Sequence, residues 1–184
     1  MTPTAREGRT PQVGEVAPDP ELLDAAGKPA TIAALRGPLV VLFFPWPVDA
    51  RGARFLRDYR DTTMLFEQAG ARLIGVSTAE PATLAYLRTE RGLGFPMFSD
   101  ADATATALWG MGGQLGLFVL DRNHTVRLHA LEDGAPASAI LTFLRRGGAR
   151  AGRSPARAIG MLGSLFARIR GVLRPNRASA RAVR

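Results

Sequence analysis

Side chains able to do acid–base or metal chemistry are few and scattered in this 184-residue chain. His124 and His129 are its two histidines, and it has no cysteine. His124 falls in an RNH turn between two apolar segments. His129 falls in a strand pattern, beside Arg127 and Leu131 and opposite Val126, Leu128 and Ala130. No ligand set or reacting partner surrounds either, so metal binding and general-base work yield to a reading as solvated histidines. Asp100 and Asp102 follow FPMFS. Paired carboxylates can divide acid and base roles, but just ahead of a helical segment they are expected to cap it. Arg51, Arg54, Arg57 and Arg60 recur every third residue. They read as a solvated face partly neutralised by Asp58 and Asp61. The alternative is an anion pocket at the helix start, where peptide N–H groups point outward. The Gly110–Gly113 run, GMGG, lacks the lysine and spacing of a phosphate loop and reads as a flexible lead into a strand. No metal or cofactor is expected.

The elements that must position these groups alternate in type. Glu21–Asp24 and Pro29–Ile32 flank AAGK, a hairpin turn. Leu39–Phe44 is a short apolar run, hence a buried central strand. Over Arg51–Gln68, Phe55, Leu56, Tyr59, Thr63 and Phe66 share one helical side, and Gly70 stands at the C-terminal cap. Ala71–Ser77 is a strand. Pro81 opens a helix to Arg91. Ala101–Trp109 is a helix with Ser99 and Asp100 as capping candidates. Gly116–Asp121 and Thr125–Leu131 form a hairpin. Pro136–Arg145 is a last helix, with Ile140, Leu141 and Leu144 inward. This alternation predicts an α/β sandwich.

Three stretches carry a family resemblance: VGEVAPDPELLDAAGKPATIAALRGPLVVLFFP (Val13–Pro45), GARLIGVSTAEPATLAYLRTERGLGFPMFSDADATATALWGM (Gly70–Met111) and LGLFVLDRNHTVR (Leu115–Arg127). Together they resemble, in order, a peroxiredoxin of the alkyl hydroperoxide reductase / thiol-specific antioxidant (redoxin) group. The resemblance covers roughly Val13 to Leu144. It implies a thioredoxin-like three-layer sandwich, a central mixed sheet with helices on both faces. It also implies a homodimer through a sheet edge or helix face, and thiol peroxidase activity. In that family the strand matching VVLFF leads to a Pro, a Thr and then the peroxidatic Cys on the first turn of a helix. This chain reads FPWPVDARGAR there. The threonine position falls on Ala50, the cysteine position on Ala53, and an arginine position ahead of LFVLD on Leu115. Alanine cannot attack an O–O bond, and the sulfenic-acid cycle needs sulfur. Pro45, Trp46, Pro47, Gly52 and Ala53 are the expected lining of the former peroxide pocket, with Trp46 packed over it.

Charge divides the chain. Residues 1–144 hold thirteen basic and sixteen acidic side chains, whereas residues 145–184 hold eleven arginines and no acid. The net charge of +8 therefore belongs to a basic tail on a mildly acidic domain. Such asymmetry predicts a polyanionic partner for the tail. Residues 148–155 read as a linker and residues 156–174 as a helix. Its apolar residues Ile159, Leu162, Leu165, Phe166, Ile169, Val172 and Leu173 fall within roughly 140° of arc. Arg157 and Arg168 flank one edge of this stripe, Arg170 and Arg174 the other. Flanking arginines can lay their stems along an apolar surface and reach phosphates. The helix either docks on protein or lies on an anionic membrane. Nucleic-acid binding ranks behind both, because no binding motif is present.

Residues 1–12 read as a disordered leader without a secretory apolar core, residues 13–147 as the domain, and residues 175–184 as a disordered basic tail. No apolar run approaches the roughly 20 residues of a membrane span. The expected location is cytoplasmic, peripheral at the inner face of the membrane if the helix binds lipid. The expected function is a non-catalytic pseudoenzyme: a binding or scaffold module attached through its basic helix. The alternatives are an antioxidant or oxidoreductase enzyme working without a thiol, and tail-mediated nucleic-acid binding.

Overall fold

The computed structural model describes residues 8–132 and 134–149. The expected linker from 150 onward, the amphipathic helix and the basic tail lie outside these residues, as does the leader up to residue 7. Seven strands form one mixed sheet: β1 (Leu22–Asp24), β2 (Pro29–Ala30), β3 (Leu39–Phe44), β4 (Arg72–Ser77), β5 (Met97–Ser99), β6 (Leu115–Leu120) and β7 (Val126–Glu132). Four helices accompany them: α1 (Ala50–Gln68), α2 (Pro81–Glu90), α3 (Thr104–Leu108) and α4 (Ala137–Arg145).

The sheet order is β2-β1-β5-β4-β3-β6-β7. β3, β4 and β5 run parallel, and β6 joins β3 antiparallel. All six residues of β3 are buried, as a strand covered on both faces requires. Its alternate side chains Leu39, Val41 and Phe43 enter a core with Ile74, Val76, Phe118 and Trp109. That face is closed by α3 and by segments between residues 13 and 35. On the opposite side α1 and α4 pack together, and Arg60 of α1 donates to Arg91 O at the end of α2. The three-layer α/β sandwich expected from the sequence is the architecture observed.

α1 buries Phe55, Leu56, Tyr59 and Phe66 along one stripe, as its spacing predicts. Gly70 ends it at φ +75°, a backbone angle that suits glycine. Pro136 precedes α4 and has no capping side chain of its own. Asp58 on α1 supplies the cap, accepting from Ala137 N at 2.7 Å. The buried Tyr59 hydroxyl donates to Ala135 O at 2.7 Å beside it. Burial first, and Asp58 second, push that phenol well above its ordinary pKa.

Several expectations need correction. The helix expected over Ala101–Trp109 is α3, five residues long. Ala103 before it is left-handed (φ +58°), and Asp102 binds Thr104 N and Oγ1 in a local turn, so the first turn cannot be helical. FPMFS yields a short strand, β5, absent from the pattern reading. In β7 the pairing skips Arg127, with Val119 opposite Leu128 and Leu120 opposite Val126. This bulge moves Val126 to the side of Leu131. Pro11 is buried and Arg9 pairs with Glu15, so residues 8–12 are placed rather than loose. Gly147 and Ala149 are buried, and Gly148 packs against Phe143 with no room for a Cβ. The domain therefore extends past its expected edge at residue 147.

Candidate functional site

The three positions singled out by resemblance converge where β3 ends and α1 begins. Asp49 caps α1, its Oδ1 accepting from Gly52 N at 2.7 Å. The Ala53 N–H donates to Asp49 O at 2.9 Å and closes the first turn. Ala50 is exposed and Ala53 half-buried on that turn. Leu115, the first residue of β6, is 6% exposed and faces the same turn. A Cβ built on Gly52 would lie 3.0 Å from Val48 Cγ1 and 3.7 Å from Leu115 Cδ2. The absent side chain of Gly52 is what lets Val48 approach the helix so closely, while Leu115 stands at ordinary contact distance.

This arrangement is poor at anion chemistry. A helix start attracts anions through its free N–H groups and the positive end of its dipole. Here Asp49 brings its own carboxylate and takes one of those N–H groups. Leu115 adds methyl groups and no donor. The anion pocket weighed for Arg51–Arg60 therefore has its negative group built in. Nor do the arginines converge on it. Arg51 donates to Glu132 O at 2.8 Å, and Arg60 pairs with Asp61 at 2.7 Å. Arg54 and Arg57 are exposed. Asp58, expected to neutralise the stripe, is spent on the α4 cap.

Pro45 is half-buried, Trp46 is 43% exposed and Pro47 is exposed. The Trp46–Pro47 peptide is cis, and the indole is partly covered and partly in solvent. Gly52 is buried under Val48 and Leu115.

Asp100 and Asp102 are structural. Asp100 is buried and accepts from Ala105 N at 2.8 Å and from Thr106 N at 2.7 Å, as a cap of α3. The Thr104 N–H and hydroxyl hold the Asp102 carboxyl below its usual range. Neither histidine is simply solvated, contrary to expectation. His124, at φ +56°, donates from Nε2 to Leu35 O at 3.1 Å. His129 lies against Phe118, ring centroids 5.8 Å apart, and its burial lowers its pKa. Among the described residues no group of three or more His, Asp or Glu could hold a metal ion.

Asp49 is the site residue that the pattern reading passed over. Its signal was present: an aspartate immediately ahead of an amphipathic helix is a capping signature.

Comparisons with known proteins bear on this geometry. Residues 13–129 match the model of the AhpC/TSA family. A putative peroxiredoxin of Mycobacterium tuberculosis is 34% identical over 119 residues, covering 64% of this chain and 73% of that protein. The chloroplastic peroxiredoxin Q of Arabidopsis thaliana is 32% identical over 124 residues, covering 62% of this chain and 57% of that one. Among solved structures, peroxidoxin BcpB of Mycobacterium tuberculosis superposes with a TM-score of 0.65 at 24% identity, over 78% of this chain and 99% of that one. A mutant PrxQ of Xylella fastidiosa gives 0.69 at 18% identity, over 76% and 99%. At these identities the structural likeness speaks for the fold.

Proposed function

The chain belongs to the AhpC/TSA family, as its motifs implied, and from that premise we propose that it is a non-catalytic member. Its role in this reading is that of a binding or scaffold module. The observation that supports this is the convergence of Ala50, Ala53 and Leu115 on the first turn of α1, in a chain without cysteine. Peroxide reduction by a thiol needs a sulfur nucleophile, a lowered thiol pKa and donors for the departing oxygen. None of the three side chains supplies any of these.

The second half of the proposal concerns attachment. The eleven arginines and absent acids of residues 145–184 favour an anionic surface, and the apolar stripe at Ile159, Leu162, Leu165, Phe166, Ile169 and Leu173 favours insertion beside it. The membrane's inner face, a protein partner or a second copy of the chain would each use that stripe. No helix among the described residues is long and apolar enough to cross a membrane.

Peroxide consumption with excess dithiol tests the first half. The expected rate equals that of buffer, and turnover that survives metal chelation would overturn the non-catalytic reading in favour of a thiol-free enzyme. Liposome flotation tests the second half, comparing the full chain with one ending at Ala149. Anionic vesicles should float the full chain at low salt and leave the shorter one behind. Equal behaviour of the two chains would remove the tail from the account.

A further inference from the structure

A second concavity lies at the opposite end of β3, away from the first turn of α1. It is an open cleft of about 540 Å³ formed by the loop before β3, the turn after α1 and the β6–β7 turn. Leu35, Arg36, Pro38, Gly70, Arg122 and His124 line it, and none of its lining residues is acidic. That composition stands out in a domain whose first 144 residues carry more acids than bases.

Arg36 and Arg122 are both exposed. Among the described residues neither has an ion pair or a hydrogen bond. Two of the neighbouring carboxylates are already engaged. Asp121 is buried and accepts from Asn123 N at 2.8 Å and Thr125 N at 3.0 Å, with Arg127 at 3.9 Å. Asp19 accepts from Ala33 N at 3.0 Å behind one wall. His124 is fixed by its Nε2–H donation to Leu35 O.

We propose that this cleft binds a small phosphate-bearing anion. Two guanidiniums, carried by two separate loops, offer donors from several directions. A tetrahedral phosphate presents its oxygens in more directions than a planar carboxylate does, which suits donors arriving from two loops. The open cleft exceeds a bare phosphate and leaves room for the small organic group of a phosphomonoester. The site shares no residue with the first turn of α1.

The test is amide chemical-shift perturbation in the full chain, with inorganic phosphate and glycerol phosphate as probes and chloride at matched ionic strength. Saturable shifts at Gly37, Gly70, Arg122 and His124 are expected. The Arg36→Gln/Arg122→Gln variant should weaken them by roughly tenfold or more. Arg36→Gln alone serves the same purpose if the pair disturbs folding. Tighter binding of glycerol phosphate supports the ester, and equal binding supports the site while assigning it to the free ion. Shifts confined to residues 145–184, shifts reproduced by chloride, or an affinity unchanged in the variants would overturn the proposal.

Discussion

The two ends of the β3–β6 pair offer a controlled comparison within one molecule. The same antiparallel ladder runs from Leu39 opposite Leu120 to Phe43 opposite Gly116, roughly 15–20 Å in all. Beyond Phe44 the chain enters a helix whose start is filled by its own carboxylate, Asp49, and covered by Leu115. Before Leu39 it leaves two arginines and a histidine around an open cleft. Ligands in open α/β sheets usually sit beyond the carboxyl ends of the strands. In this chain that end of β3 is taken up by packing and capping, while two exposed arginines stand at the amino end. A shared scaffold therefore does not dictate which end stays chemically available.

Removing the packing should produce the largest effect. Leu115→Ala deletes a nearly buried side chain whose Cδ2 lies against the first turn of α1. A cost of about 2–3 kcal/mol is expected in urea unfolding, from lost burial and the cavity left behind. Arg36→Ala at the opposite end should change stability by less than about 0.5 kcal/mol. Equal costs at the two positions would break the comparison, because the helix start would then be no more consolidated than the cleft.

The sequence made the scaffold legible where local and tertiary preferences agree. The all-apolar run Leu39–Phe44 could be little else than a central strand, and Gly70 stands where a helix needs a left-handed residue. It was opaque where one residue changes the geometry. Ala103 adopts φ +58° with no glycine to announce it, and α3 loses its first turn. Arg127 is a bulge in an otherwise regular alternation, which exchanges the faces around Val126. Ala50, Ala53 and Leu115 could be singled out because they lie in or beside recognisable motifs. The basic cleft was not, because Arg36 and Arg122 are 86 residues apart and meet only through sheet topology.

Removing the cap should have a smaller effect than removing the packing. Asp49→Ala leaves the Gly52 N–H without its acceptor and is expected to cost about 1 kcal/mol. The same carboxylate makes a further prediction about chemistry. A thiol introduced by Ala53→Cys would sit on the capped turn, where Asp49 offsets the helix dipole. Adding Asp49→Asn should lower that thiol's pKa by about half a pH unit, read from its alkylation rate against pH. If the thiol is already strongly acidic with Asp49 in place, the helix start is not neutralised and the contrast between the two ends weakens.

The smallest effect belongs to the middle of the ladder, where neither end dominates. His129 pairs with Phe118 across β6 and β7, and burial depresses its pKa below the ordinary value of 6.5. The unfolded chain therefore takes up a proton at a higher pH than the folded one does. Between the two pKa values the unfolded state binds more protons, so stability rises with pH across that window. The contribution of a neutral His129 is complete above about pH 6.5 and is lost as pH falls through the folded pKa. In urea melts, the stability of the parent relative to His129→Gln should shrink on acidification over that window. Phosphate at saturating concentration should leave this difference unchanged, because the anion cleft lies beyond Leu120 and the histidine's depression comes from burial. A difference that stays flat with pH would mean that the ring is hydrated in solution. A difference that moves with phosphate would mean that the middle of the ladder senses the cleft, and the two ends could no longer be treated as separate sites.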